Sequence, residues 1–270
     1  MIQKKQMRNG FTLIELITVI VILSILSVVG GGFMIQSAES YHQSVNRGKL
    51  IQKGRQAIEQ ITRQLRIGVP NSVTVSANNL CVEWLPVVSG GNYLDELPDQ
   101  DNGAAATASI NTAPLSFDLG TPRYVTIAAL NRSELYSAAP ASLEHYGSVN
   151  TALIPNVVTL GNAKQFLRNS INQRLFIADQ PMQFCVGGGT LTQHEAYTAV
   201  GAYPSSSALT GSAPNAGILL ADGVNLGGEI PFAITTGTEA RNTIVRLEIP
   251  FEQGGERIVL RHQVMVRNVP

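Results

Sequence analysis

The sequence is poor in charge and in the residue patterns that carry chemistry. Of its 270 residues only 14% are charged, and 19 basic and 19 acidic side chains give a net charge of zero. Because proteins that bind nucleic acid show a basic surplus, this balance argues against a nucleic-acid partner. The chain has no P-loop, dinucleotide fingerprint or Gly-x-Ser-x-Gly motif, and its four histidines lack metal-ligand spacing. We therefore expect no catalytic residue, no metal and no cofactor.

Charge is missing altogether from residues 16–35. As a helix, such a segment spans about 30 Å, which is the thickness of the hydrocarbon core of a bilayer. Lys4, Lys5 and Arg8 precede it without any acid, and a positive flank keeps that end of the chain in the cytoplasm. The pattern predicts a single membrane pass with the bulk of the chain outside.

Two ordinary explanations compete for this segment. A cleaved secretory signal has a shorter apolar core, of about 7–15 residues, and a small-residue cleavage site after it. Here the run is longer and nothing after it has that form. A plain signal anchor fits the length, but it would not explain Glu15 or the glycine beside Phe11.

One acid, Glu15, lies near the start of the apolar run. A carboxylate in lipid costs roughly 2–3 kcal/mol or more unless it finds a partner. The run Gly10-Phe11-Thr12-Leu13-Ile14-Glu15, between a basic leader and an apolar helix, resembles the type III signal of type IV pilins and pseudopilins. The resemblance implies that a prepilin peptidase cleaves after Gly10 and methylates the new amine of Phe11. It also implies that Glu15 pairs with a neighbouring subunit's N-terminal amine, although a Glu at a helix end can instead snorkel to the headgroups.

The first helix is expected to continue past the membrane to about residue 67. Apolar or small side chains recur there at three- and four-residue spacing, which marks one helical face: Leu50, Ile51, Gly54, Ala57, Ile58, Ile61 and Leu65. Three glycines at residues 30–32 remove about 3 kcal/mol of helix stability at the junction. They mark either a hinge that unwinds on assembly or simply the exit from the membrane.

The resemblance implies an α+β, type IV pilin-like fold. A long N-terminal helix, half in the membrane and half amphipathic, would pack on an antiparallel β-sheet. We divide the chain into a leader peptide (1–10), a transmembrane and assembly helix (11–35), the amphipathic half of that helix (36–67) and a periplasmic β-rich head (68–270).

Alternating apolar residues near the C-terminus predict a long antiparallel hairpin that covers the helix, in two strands around residues 244–251 and 257–267. His262 falls on its apolar face, so we expect a core histidine. Residues 104–122 are rich in Ala, Thr, Ser and Pro, which predicts a surface connection. The acidic stretch 95–103 is expected to be a solvated loop, since it lacks the full spacing of an EF-hand calcium site.

Cys81 and Cys185 lie outside the cytoplasm in this topology, and an even count there favours a disulfide over two buried thiols.

Charge is divided unevenly beyond the membrane. Residues 40–67 carry a net charge of +5 and residues 68–270 a net charge of −6. A basic stalk and an acidic head can pair between subunits, or the stalk can face solvent and headgroups.

The long head points to a minor pilin rather than a major one. Four segments carry a narrower resemblance: residues 55–66, 70–73, 81–86 and 266–270. They resemble the minor pilins of the mannose-sensitive haemagglutinin (MSHA) pilus, and the resemblance implies a role in helping to initiate or cap the filament. The implied partners are the prepilin peptidase, other minor pilins, the major pilin, the inner-membrane assembly platform and the lipid bilayer. Two alternatives stay open: a J-type minor pseudopilin of type II secretion, and a tip adhesin that binds through loops between residues 86 and 122 or 187 and 217.

Overall fold

The computed structural model describes residues 11–117, 120–152, 155–195, 201–204, 217–237 and 241–267. Within these residues the elements are α1 (Leu13–Arg66), a 3₁₀ turn (Arg132–Glu134) and the strands β1 (Thr74–Val75), β2 (Cys81–Trp84), β3 (Val87–Asn92), β4 (Thr107–Thr112), β5 (Tyr124–Ile127), β6 (Leu143–Asn150), β7 (Asn156–Lys164), β8 (Arg174–Ala178), β9 (Met182–Gly187), β10 (Thr190–His194), β11 (Ile218–Asp222), β12 (Phe232–Thr235), β13 (Thr243–Gln253) and β14 (Glu256–Val266). The predicted α+β class is confirmed, with the strands arranged in three antiparallel sheets instead of one.

Helix α1 is continuous over 54 residues, including the three glycines at 30–32. Its first half exposes its apolar side chains, whereas its second half buries a single face. That face consists of Leu50, Gly54, Ala57, Ile58, Ile61, Thr62 and Leu65. This face matches the predicted one except that Ile51 is only half-buried and Thr62 is added. Because each buried large apolar side chain contributes about 1.5–3 kcal/mol, the face fixes the helix to the head.

The sheet that carries the helix is the three-stranded one, in the order β12-β13-β14. Strands β13 and β14 pair without interruption from Thr243 opposite Val266 to Gln253 opposite Glu256, which confirms the predicted hairpin. Its buried side chains pack with the α1 face in one core cluster: Val245, Leu247, Ile249, Phe251, Val264 and Val266.

The expectation for His262 was wrong. Its side chain is exposed and lines a groove beside Arg63 and Arg66 of the helix. The reason is that β14 is an edge strand and α1 covers only part of its apolar face. The alternation of residues does not show which part the helix covers.

The five-stranded sheet has the order β1-β2-β9-β10-β11 and shares the helix core. Cys81 and Cys185 are opposite each other on β2 and β9, and a disulfide joins them. Polar contacts also hold the helix to this sheet. Lys53 forms an ion pair with Asp222 on β11, so at least one basic side chain of the stalk pairs with the head of its own chain.

The six-stranded sheet, in the order β3-β8-β5-β6-β7-β4, curls until its first and last strands meet. Leu94 N donates to Asn111 O and Ala113 N donates to Asn92 O, both at 2.9 Å, just beyond the end of β3. This small barrel-like unit has a core of its own: Val88, Tyr93, Leu97, Ile110, Val125, Ile127, Ala128, Val158, Leu160, Phe166, Leu175 and Ile177.

The expectation that residues 104–122 are only a surface connection was therefore wrong, since β4 lies there. Its polar, small residues gave little apolar alternation, and it forms because it closes the sheet.

A buried carboxylate lies between the two parts of the head. Glu83 on β2 is fully buried, accepts a 3.0 Å hydrogen bond from Gln183 Nε2 and has Arg132 Nη2 at 4.0 Å. Burial raises the pKa of Glu83 to about 7. The hydrogen bond from Gln183 and the charge of Arg132 lower the pKa, but their effect is smaller than that of burial. Glu83 therefore holds a proton in the folded protein at pH values where the unfolded chain has lost it.

The close approach of helix and hairpin at Gly54 gives a stability prediction. A Cβ at Gly54 would touch Leu260 and would lie 2.8 Å from Phe251 Cε2, so Gly54→Leu is expected to lower the free energy of unfolding by about 1–3 kcal/mol. The control is Gly48→Leu on the same helix, where a Cβ meets nothing within 4 Å and the loss of a helical glycine should stabilise by up to about 1 kcal/mol. Urea unfolding of the full chain in detergent, followed by the fluorescence of the single tryptophan, Trp84, measures both. Equal effects of the two substitutions would contradict the packing described.

Glu83 gives a pH prediction. Because its pKa is higher in the folded state, its contribution to stability is complete below about pH 4.5 and is lost as pH rises through about 7. Glu83→Gln removes this dependence, so relative to the native chain it should gain up to roughly 3 kcal/mol between pH 4.5 and pH 8. The measurement is urea unfolding across that range, with Glu96→Gln on an exposed loop as the control. A pH profile that Glu83→Gln leaves unchanged would show that Glu83 is not the titrating group.

Candidate functional site

The N-terminal end of α1 is closed by Thr12 and Glu15. Thr12 is the N-cap residue, with extended backbone, and Glu15 is the third residue of the helix. The backbone N–H of Glu15 donates to Thr12 Oγ1 at 3.3 Å, and the backbone N–H of Thr12 donates to Glu15 Oε2 at 2.9 Å. This reciprocal arrangement is a capping box, which satisfies two N–H groups that the first helical turn leaves without partners.

The Glu15 carboxylate is thus held by neutral donors of its own chain. The Thr12 hydroxyl also donates to Glu15 Oε2 at 2.9 Å, so both Thr12 donors meet one oxygen, and Oε1 accepts no hydrogen bond from the described residues. Reasoning from charge alone missed these contacts, although the Thr-x-x-Glu spacing of a capping box was readable. The carboxylate is oriented at the positive end of the helix dipole and keeps one oxygen for a further donor.

The helix segment after Glu15 is an exposed apolar rod. Its large side chains, such as Leu13, Ile22 and Phe33, are between about half and three quarters exposed, and Phe11 ahead of them is 84% exposed. Contiguous apolar surface of this length needs a lipid or protein environment to cover it. Among the described residues α1 is the one helix that is long and apolar enough to cross a membrane.

A comparison with known families gives a match at this end of the chain. The model described as the prokaryotic N-terminal methylation motif matches residues 5–30. This motif indicates a type IV pilin or pseudopilin. Proteins with the prepilin motif are processed by a prepilin peptidase and assemble with pilus components, and their role is structural. The exposed apolar helix fits a pilin-type anchor in the inner membrane.

The match covers the motif region and does not extend into the head. No curated protein and no solved structure shows a significant similarity to this pilin-like chain. The finer placement within the pilins therefore depends on the residues of the chain itself.

The remaining site residues lie as follows. Gly10, on the leader side of the expected cleavage bond, is outside the described residues, and Phe11 lies directly before the N-cap residue Thr12. Cys81 and Cys185 are far from this end, in the five-stranded sheet, where their disulfide belongs to the head.

The acidic loop at 95–103 is organised around one carboxylate. Asp99 is nearly buried and accepts hydrogen bonds from the backbone N–H groups of Asp101, Asn102 and Asn169. These donors, with the Asn169 side-chain amide, lower the pKa of Asp99. The hydrogen bonds that Asp99 accepts thus hold the loop in its conformation. In the described part of the chain, no group of three or more His, Cys, Asp or Glu side chains is placed to hold a metal ion.

Proposed function

We propose that this chain is a minor pilin that helps initiate or cap assembly of a type IV pilus of the MSHA type, without catalytic activity. The observation that carries the proposal is Glu15, fixed by Thr12 at the start of an exposed apolar helix and four residues after Phe11. The large head, with a second core beyond the helix-bearing sheets, favours a low-copy subunit over a major pilin. Four segments resemble the biogenesis protein MshO of that pilus: residues 55–66, 70–73, 81–86 and 266–270.

The proposed division follows the chain. Residues 1–10 are the leader removed by the prepilin peptidase, and 11–35 anchor the protein in the inner membrane before assembly. Residues 36–67 hold the head, and 68–270 form that head in the periplasm and later on the pilus. The anchor and the segment that packs on β13 and β14 belong to one continuous helix. This continuity supports the proposal that residues 11–35 anchor the head through residues 36–67.

The physical basis of assembly is charge pairing in a medium of low dielectric. The Thr12 donors are neutral, whereas the amine freed at Phe11 of another subunit is a cation. A charge-assisted hydrogen bond is roughly twice as strong as a neutral one, and the attraction grows as water is excluded. Glu15 therefore gains more from a neighbour's N-terminus than from its own cap, and the gain favours entry into a filament over remaining alone in the membrane.

The J-type pseudopilin alternative uses the same pairing in a different machine. Deletion of the gene separates the two, since a pilus subunit is required for surface pili and a pseudopilin for secretion of exported enzymes. The tip-adhesin alternative predicts that the full chain binds surface glycans, which the assembly role does not require.

Processing gives the first test. Gly10→Leu is expected to leave the ten-residue leader attached and Phe11 unmethylated, because a bulky side chain keeps the peptidase from the backbone at that bond. Intact-mass measurement of the membrane-extracted protein reads both changes at once. Gly30→Leu is the control, since it adds the same side chain within the apolar segment away from the bond, and it should be processed normally. A mature, methylated mass for Gly10→Leu would contradict the assignment of the cleavage site.

Glu15 gives the second test. Glu15→Gln keeps a side chain that can still hydrogen-bond to Thr12 but removes the charge, and Glu15→Val removes both. Both variants should stay in the membrane while their copies in sheared filaments fall at least about tenfold, because losing one partner of a buried charge pair costs roughly 3–5 kcal/mol. Quantitative immunoblots of filament and membrane fractions measure the ratio.

The control for that test is Glu39→Gln, which removes an exposed acid of the same helix beyond the apolar segment. It should leave filament entry unchanged. If Glu15→Gln assembles like the native protein while Glu15→Val does not, the helix cap, and not the charge pair, is what assembly requires.

A further inference from the structure

A cleft lies where the C-terminal end of α1 meets the outer edge of β3. Its volume is about 850 Å³, and its walls come from α1, β3, β8 and the end of β14. Three arginines that are distant in sequence line it: Arg66, Arg174 and Arg267. All three are exposed at its rim.

Several arginines of the head are already neutralised by acids of the same chain. Arg168, Arg257 and Arg261 each form an ion pair with a glutamate at 2.6–2.7 Å. Arg66, Arg174 and Arg267 form no ion pair with any described residue, and no described acid lines the cleft. Three cations around one concave surface focus a positive potential that attracts an anion.

Ser89, which lines the cleft, carries a buried hydroxyl that has no partner among the described residues. Ser89 on β3 is 6% exposed, and its Oγ makes no hydrogen bond within the described chain. An unsatisfied buried polar group costs about 1–3 kcal/mol, and such groups in native proteins call for a specific explanation. A ligand in the cleft that hydrogen-bonds to Ser89 would supply it.

The edge of β3 is open in the middle of the same cleft. At one end Val87 N donates to Ile67 O at 3.2 Å, and at the other Asn92 O accepts from Ala113 N at 2.9 Å. Between these contacts lies Gly90, which is exposed and has no side chain to shield its backbone. Another polypeptide can therefore approach this strand edge closely.

We propose that the cleft binds an acidic segment of a partner polypeptide. Its carboxylates would be received by Arg66, Arg174 and Arg267, whose planar guanidinium groups match carboxylates in a bidentate way. Its main chain would lie along the β3 edge at Gly90, with a polar group reaching Ser89. The open strand edge favours a peptide over an acidic glycan or free phosphate, because only a peptide uses backbone donors and acceptors in register. This site goes beyond the pairing at Glu15 and does not depend on it.

The test measures binding of a fluorescein-labelled octaglutamate peptide to the full chain in detergent micelles by fluorescence anisotropy. Arg174→Glu should weaken binding at least about tenfold, since it replaces a charge-assisted bond by repulsion. Arg47→Glu makes the same change of charge 19 residues before Arg66 on the exposed stalk, and it should change the affinity less than about twofold. Ser89→Ala keeps every charge and should weaken binding roughly threefold to tenfold, the value of one neutral hydrogen bond.

Arg267→Glu provides a second charge reversal in case Arg174→Glu does not fold, which circular dichroism checks. Equal losses for Arg47→Glu and the cleft variants would overturn the proposal, because binding would then follow overall charge alone. Tighter binding of polygalacturonate than of octaglutamate, with the same dependence on the cleft arginines, would also overturn it in favour of an acidic glycan. Because the assay needs no filament, its failure leaves the proposal for Glu15 untouched, and the reverse holds as well.

Discussion

The packing of the second half of α1 on the β13–β14 hairpin is the constraint on which the rest of the structure depends. At Gly54 the helix approaches Leu260 and Phe251 so closely that no side chain fits between them. This contact fixes the rotation of the helix about its axis, because the buried face has only one orientation that meets the hairpin. The apolar segment that precedes it is part of the same continuous helix, so the head determines which way that segment presents its own surface.

The chemistry at the other end of the helix depends on how a carboxylate is satisfied. Thr12 gives Glu15 two hydrogen bonds from neutral donors within a single subunit, and these bonds also orient the carboxylate. A cap of this kind resolves an apparent contradiction, since an acid with no partner would resist membrane insertion while a fully paired one would have no reason to bind a neighbour. The capping box leaves the acid between these limits, with one oxygen free of hydrogen bonds from the described residues.

Sequence reasoning succeeded where the signal is local. The helical face from Leu50 to Leu65 and the alternation from Val245 to Val266 are strong periodic patterns, and the structure has both. It failed at β4, whose polar and small residues form a strand only because they pair with β7, more than forty residues away, and close the sheet against the end of β3. It failed at His262 because alternation predicts which face of a strand is apolar but not how much of that face the helix covers. The cleft was beyond reach, since Arg66, Ser89, Arg174 and Arg267 come together only through the fold.

The distance between the two ends of α1 separates their partners. From Glu15 to Arg66 the helix rises by 1.5 Å per residue, which places the two residues about 75 Å apart. A compact protein cannot contact both places at once, whereas another subunit with a helix of the same length can do so if the two run side by side. In the proposed scheme, contact at Glu15 would select for any chain with a free N-terminal amine, and contact at the cleft would select for a particular acidic head. A protein that used both contacts would combine the assembly step shared by all subunits with the choice of one particular neighbour. A subunit that occupies a single position in a filament needs both.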